Sequence, residues 1–160
     1  MSKQPKRKGD PGRERRGNDE GAIVFWLHQA QHAVRAEILR LFRERGHDLT
    51  AEQWTVLAAV WQRPGQSQAE LARITGRDKP GVTRLVDGLE RKGFVQRVLA
   101  EDDRRRYALH PTEAGARLHD VLEPIVGEVV GRALEGFSTA DKSTARDLLR
   151  RLVLNLRDAK

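Results

Sequence analysis

Cysteine is missing from this chain of 160 residues. Its absence excludes a disulfide framework, a thiolate zinc site and any switch that works by cysteine oxidation. Long apolar runs are missing too: Ala22 to Leu27, the longest stretch near the N-terminus, falls far short of the ~20 residues that a membrane-spanning helix requires. The opening MSKQPKRKGDPGRERRGNDE also lacks the apolar middle of a secretory signal. The expected location is therefore cytoplasmic, with no membrane partner. The parts of a catalyst are equally absent. There is no G-x-S-x-G elbow, no Gly-rich phosphate-binding loop and no thiol, so neither an enzyme nor a cofactor is expected.

What the chain has in excess is positive charge. A net charge of +7 and a pI near 10.3 point to a polyanionic partner, because clustered Lys and Arg release counterions when they meet phosphates. Nucleic acid and an anionic membrane surface share that signal, and only motifs separate them. The 38% hydrophobic and 33% charged fractions suit a soluble helical protein with wide solvated faces. The length fits one domain, whose core would grow by pairing with a second copy.

Residues 1–20 combine Gly, Pro and charge without apolar periodicity. They read as a disordered basic arm, either a solvated tail or one that touches DNA. From Gly21 the pattern is helical: Ile23, Leu27, Ala30, Val34, Ile38 and Leu41 recur at steps of three and four, and Gly46 supplies the stop. Thr50 opens a capping box, T-A-E-Q, ahead of Trp54, Leu57, Ala58 and Trp61; Pro64 and Gly65 close this second helix. A second box, S-Q-A-E from Ser67, opens a short third helix with Leu71 and Ile74 inward, ended by Gly76. Asp78 caps a fourth, whose first turn tolerates Pro80 and whose stripe Val82, Leu85, Val86 and Leu89 runs to Gly93.

Two helices joined by a short Gly-containing turn form a helix-turn-helix. FVQRVL, the polar turn AEDDR and RRYALH follow as a hairpin wing. Pro111 and Thr112 restart helix, with Leu118, Val121, Leu122, Ile125, Val129 and Leu134 along it and a bend expected at Pro124. Ser138 caps a last helix carrying Leu148, Leu149, Leu152 and Leu156. The expected fold is mainly α: a winged helix-turn-helix core at 49–111 with a small β-hairpin wing, inside a domain at 21–160 with long flanking helices at 21–46 and 112–158.

Once the stripe of the fourth helix is buried, Lys79, Gly81, Thr83, Arg84, Asp87, Gly88 and Arg91 remain outside. That face is slim and basic. Gly81 and Gly88 would permit close approach to a major groove, where Arg84 could fork onto guanine O6 and N7, with Lys79 and Thr83 at the N-terminal end where recognition helices meet base edges. The alternative is an ordinary solvated face. At the wing tip Arg104, Arg105 and Arg106 crowd beside Glu101, Asp102 and Asp103. An Asp103–Arg105 pair could aim a guanidinium into a narrow, A·T-rich minor groove, or the run could simply keep an edge hairpin soluble.

The stretch from Leu49 to Gly115 resembles the core of the multiple antibiotic resistance regulator (MarR) family. The resemblance is carried by QAELA, by V-T-R-L-V-D-x-L-E from Val82, by the following K-G, by D-R-R at the wing tip and by T-E-A-G. It implies a homodimer in which the first, fifth and sixth helices of two chains intertwine for dimerisation. Such a dimer binds a pseudo-palindrome in double-stranded DNA and usually represses a nearby gene until a small ligand, often phenolic or otherwise anionic, loosens it. By family position Lys79, Pro80, Gly81, Thr83 and Arg84 match the recognition helix, Arg105 (beside Arg104) the wing arginine, and Gln66, Ser67 and Gln68 the positions that meet phosphates. Gly81 departs from the pattern, since the family often has Ser or Thr there. The resemblance also places an effector cleft among the first, second and fifth helices, with Trp26, His32, Arg35 and Trp54 as lining residues.

His28 and His32 stand four apart on one helical face, a spacing open to a metal. Without H-E-x-x-H or a carboxylate cluster no metal site is assigned, and a pH-sensitive or ligand-lining role fits better. Trp26, Trp54 and Trp61 also suit core or dimer anchors, and Arg35 could instead pair with Glu37 or Glu44. Sequence-specific regulation stands as the reading; a metal-responsive regulator, a non-specific architectural DNA binder and a protein-binding winged module are the alternatives.

Overall fold

A computed structural model of the chain describes residues 11–99 and 107–157. The elements run α1 (Pro11–Glu44), α2 (Ala51–Gln62), α3 (Gln68–Thr75), α4 (Lys79–Arg91), β1 (Val95–Leu99), β2 (Tyr107–Pro111), α5 (Glu113–Ala133) and α6 (Thr139–Arg157). The first helix begins ten residues before the expected Gly21, so residues 11–20 are helical and not part of a disordered arm. Proline suits the first helical position, where its missing N–H has no intrahelical partner to lose, and the Arg and Glu that follow are good helix formers. Residues 1–10 lie outside the described set.

The caps form as the sequence indicates. Thr50 and Ser67 each close a reciprocal capping box, with Gln53 and Glu70 respectively, and Gly76 ends α3 in the left-handed conformation at φ 66°. A single core joins Ile38, Leu41 and Phe42 of α1, Val56, Leu57 and Val60 of α2, and Leu71 of α3. To these it adds Val82, Val86 and Leu89 of α4, Val95 and Leu109 of the hairpin, and Leu122, Ile125 and Val129 of α5. α5 continues unbroken through Pro124. β1 and β2 pair antiparallel, from Val95 opposite Pro111 to Leu99 opposite Tyr107. The chain leaving α2 adds a bridge to the same sheet, Leu109 N–H donating to the Gln66 carbonyl at 2.9 Å. α1 and α5 are further tied by Arg132 to Glu37 and by Arg45 to Glu128. Hydrogen bonds from Arg40 and then Arg132 hold the Glu37 carboxyl down at about 2.

Apolar burial stops where these elements end. Ile23, Val24, Phe25 and Trp26 on α1 are exposed, and among the described residues α6 buries none although Leu148, Leu149, Val153 and Leu156 line it. The start of α5 is set by one close approach. Thr112 N–H donates to the Phe94 carbonyl at 3.2 Å and its hydroxyl accepts from Gly115 N–H at 3.0 Å. A Cβ on Gly115 would stand 2.0 Å from that same Phe94 oxygen. The obstacle is backbone, which cannot rotate aside. Gly115→Ala is therefore expected to lower unfolding stability by about 2–4 kcal/mol, the range of a forced core clash, read as a lowered urea midpoint with unchanged slope; a loss below about 0.5 kcal/mol would contradict this packing account.

Candidate nucleic-acid interface

α4 is presented by its cap and its stripe. The Asp78 carboxylate accepts from Gly81 N–H at 3.4 Å, Pro80 fills the first turn, and Val82, Val86 and Leu89 go fully inside. Lys79, Pro80, Arg84 and Arg91 remain exposed. Among the described residues neither Lys79 nor Arg84 has an ion-pair partner, so both are free to meet an anion or a base edge.

The glycines of α4 have reasons different from the expected one. A Cβ on Gly81 would sit 2.5 Å from Asp78 Oδ1, so glycine leaves room for the cap, and the Ser or Thr of the family pattern would crowd it. Gly88 is half-buried against α2, 3.7 Å from Gln53 Nε2 once a Cβ is imagined. It is not on the outer face.

A groove runs beside α4 between the start of α3 and the wing, lined by Ser67, Gln68, Lys79, Thr83, Arg97 and Tyr107. Its floor is a hydrogen-bonded network. Arg97 of β1 donates from Nη2 to Asp87 Oδ1 at 2.5 Å and from Nη1 to Glu90. The Gln68 amide, oriented so that both its ends are satisfied, accepts from Arg97 Nη2 at 2.8 Å and Nε at 3.0 Å and donates to Thr83 Oγ1 at 3.1 Å. Thr83 donates in turn to the Lys79 carbonyl at 3.0 Å. One guanidinium thus fixes α3, α4 and the wing base together, and Asp87 faces that base instead of the outer surface.

The structure brings Ser67, Gln68, Lys79 and Thr83 together around this groove, while Pro80, Gly81 and Arg84 lie on the same helix α4 outside its lining. Gln66 is corrected. Its side chain is 6% exposed and donates to the carbonyls of Ala59 at 2.8 Å and Arg63 at 2.7 Å, so it ties off the end of α2 and cannot reach a phosphate. The Ser67 hydroxyl is engaged with Glu70 in its cap. Arg104 and Arg105 lie outside the described residues. Arg97 and Tyr107 were not singled out from sequence. The available signal was Glu90 of α4, which has no basic residue three or four positions away to answer it.

The expected effector residues are not brought together. Trp26 and His32 are exposed on the N-terminal part of α1, about 24 and 15 Å along the helix axis from Phe42 at 1.5 Å per residue. Trp54 packs edge-on against Phe42 at 5.0 Å between centroids. Arg35 points to Glu52 at 3.8 Å, neither to a ligand site nor to Glu37 or Glu44, which Arg40 engages. Trp54 does line a cleft, but with Ala58, Trp61 and Gln62 of α2 and His119, Glu123 and Val126 of α5. His28 and His32 rings lie 6.5 Å apart, and among the described residues no group of three or more His, Asp or Glu gathers as a metal would require. Among those residues, too, no helix is long and apolar enough to cross a membrane.

The model of the MarR family matches residues 47–106, which span α2 to the wing. The HTH-type transcriptional regulator YybA of Bacillus subtilis (strain 168) is 31% identical over 109 residues, 68% of this chain and 73% of that protein. The chain belongs to the MarR family. Its fold superposes on the transcriptional regulator PA3341 with a TM-score of 0.76 at 31% identity, covering 85% of this chain and 98% of that one. It also superposes on the transcriptional repressor CouR bound to a 23-mer DNA duplex, with a TM-score of 0.69 at 24% identity over 82% and 92% of the two chains. As a MarR-family protein it is a DNA-binding transcriptional regulator, and the face carrying Lys79 and Arg84 is its candidate DNA surface.

In this MarR-family chain Arg97 is neutralised by two carboxylates, so its role is to position Gln68 and Thr83, not to hold a phosphate. Arg97→Met keeps the stem and removes the charge-assisted bonds. It should weaken operator binding by about 2 kcal/mol while leaving the salt dependence unchanged, as measured by fluorescence anisotropy at several salt concentrations on protein checked for native circular dichroism. A salt slope reduced by about one would instead mark a direct phosphate contact.

Proposed function

We propose that the protein is a homodimeric repressor that reads a pseudo-palindromic operator and is released by a small ligand. The observation that carries the reading is the outer face of α4: Arg84 opposite the fully buried Val82, Val86 and Leu89, with Lys79 exposed at the helix start, neither having an ion-pair partner among the described residues. A helix so held can enter a major groove, Arg84 meeting a base edge while Lys79, Gln68 and Ser67 lie along the backbone. Arg104 and Arg105 at the wing tip would enter the adjacent minor groove, drawn by its negative potential. CouR, a repressor of the same fold bound to a 23-mer duplex, supports the reading of a DNA-binding repressor.

Dimerisation follows from surface that one chain leaves uncovered. Leu156 is 74% exposed and Trp26 68%, and helices bearing such stripes need a partner to bury them. A second copy presenting the same helices would do so around a two-fold axis. Two α4 helices then face one side, and half-site centres about 10 base pairs apart are expected. Light scattering at micromolar concentration should give about twice the monomer mass of 18.1 kDa; a folded monomer would sink the dimer.

Arg84→Ala tests the reading itself. It should cost ~1–3 kcal/mol per half-site and relax preference at one base pair, with affinity for random DNA changed far less. Titration against operators carrying single base changes decides the matter. Equal losses on operator and random duplex would instead favour a non-specific architectural protein.

A further inference from the structure

The cleft between α2 and α5 carries chemistry that DNA binding leaves unused. Its volume is about 180 Å³, close to the ~150 Å³ that holds one benzene ring in an apolar cavity. Trp54, Trp61 and His119 of the lining meet edge to face, Trp54 and Trp61 at 5.8 Å and Trp61 and His119 at 4.8 Å, with Phe42 buried behind Trp54 at 5.0 Å. Aromatic faces carry negative potential and attract cations.

The lining contains neither Lys nor Arg. His119 Nδ1 lies 3.7 Å from Asp120 Oδ1 and 4.0 Å from Glu123 Oε2, so even a protonated imidazole leaves the rim one negative charge in surplus. Two other carboxylates of α5 are answered, Glu113 by Arg117 and Glu128 by Arg45. Among the described residues no Lys or Arg answers Glu123. Glu123, although 72% exposed, repels an anion held beside it and attracts a cation. A cation gains from both the rings and Glu123.

We propose that this cleft binds a compact organic cation, an ammonium group on about one aromatic ring, and that such a cation is the effector. This rests on the proposed repressor and reverses the ligand charge that the family resemblance implies. The route to DNA is short: α2, which forms one wall, also packs on α4 through Gln53 beside Gly88, so a ligand that parts α2 from α5 displaces the helix carrying Arg84.

Benzylammonium, benzyl alcohol and benzoate share one ring and differ in charge, and tryptophan fluorescence at matched ionic strength reads their binding. Benzylammonium should bind at least ~10-fold tighter than benzoate, and at saturation weaken operator affinity ~10-fold, a usual size for coupling between sites. Glu123→Gln should abolish the preference for benzylammonium over benzyl alcohol without changing circular dichroism or unliganded operator affinity. Benzoate binding as tightly as benzylammonium, a preference that survives in Glu123→Gln, or no probe binding at millimolar concentration would overturn the site. A bound probe that leaves operator affinity unchanged would overturn its role as effector. The fluorescence titrations contain no DNA, so a failure of the repressor reading and a failure of the cleft are seen separately.

Discussion

The Arg97 guanidinium is the point at which the helix-turn-helix half of the molecule is locked. It lies where α3, α4 and β1 converge, donating to Asp87 and Glu90 on one helix and to Gln68 at the start of the other. Its side chain is 20% exposed, which puts the ion pairs in a partly screened setting where they add little to net stability. Their value is directional. Planar donors on fixed axes define the angle between β1 and α4, and the hydrophobic stripe of α4 alone would let that helix roll or slide.

The remaining architecture divides into a satisfied centre and unsatisfied ends. Around Phe42, Leu57, Leu89 and Leu122 every element from α1 to α5 contributes a fully buried apolar side chain, and the hairpin is stitched to the end of α2 by Gln66, through its backbone to Leu109 and its amide to two carbonyls. At the far ends, the N-terminal part of α1 and all of α6 hold their stripes in the open. The same chain thus has a packed helix-turn-helix centre and uncovered apolar ends, joined through the packing of α1 on α5.

The α2–α5 cleft lies between these parts: its walls belong to the helix that supports α4 and to α5, which packs on α1. An aromatic row from Phe42 to His119 crosses the boundary. Rings in edge contact are stiff and close-packed, so a small displacement there moves whole helices instead of being absorbed locally.

The helix starts were legible in the sequence because caps are local. Thr50, Ser67, Asp78 and Thr112 each bind a backbone N–H three residues on, and the apolar stripes and hairpin alternation need only the period of the element itself. The exposed Lys79 and Arg84 were legible for the same reason, as what is left when a stripe is buried. What tertiary structure alone decided were pairings across long separations: Arg35 with Glu52 on another helix, Arg132 with Glu37 ninety-five residues away, Gln66 turned inward, Gly88 against Gln53, Arg97 between two helices. A polar side chain in a sequence states that it needs a partner, not where that partner is. The packing of α2 against α4 and α5 brought distant residues within reach, and so decided that the cleft beside Trp54 is lined by Glu123 and His119 rather than by Arg35 and His32.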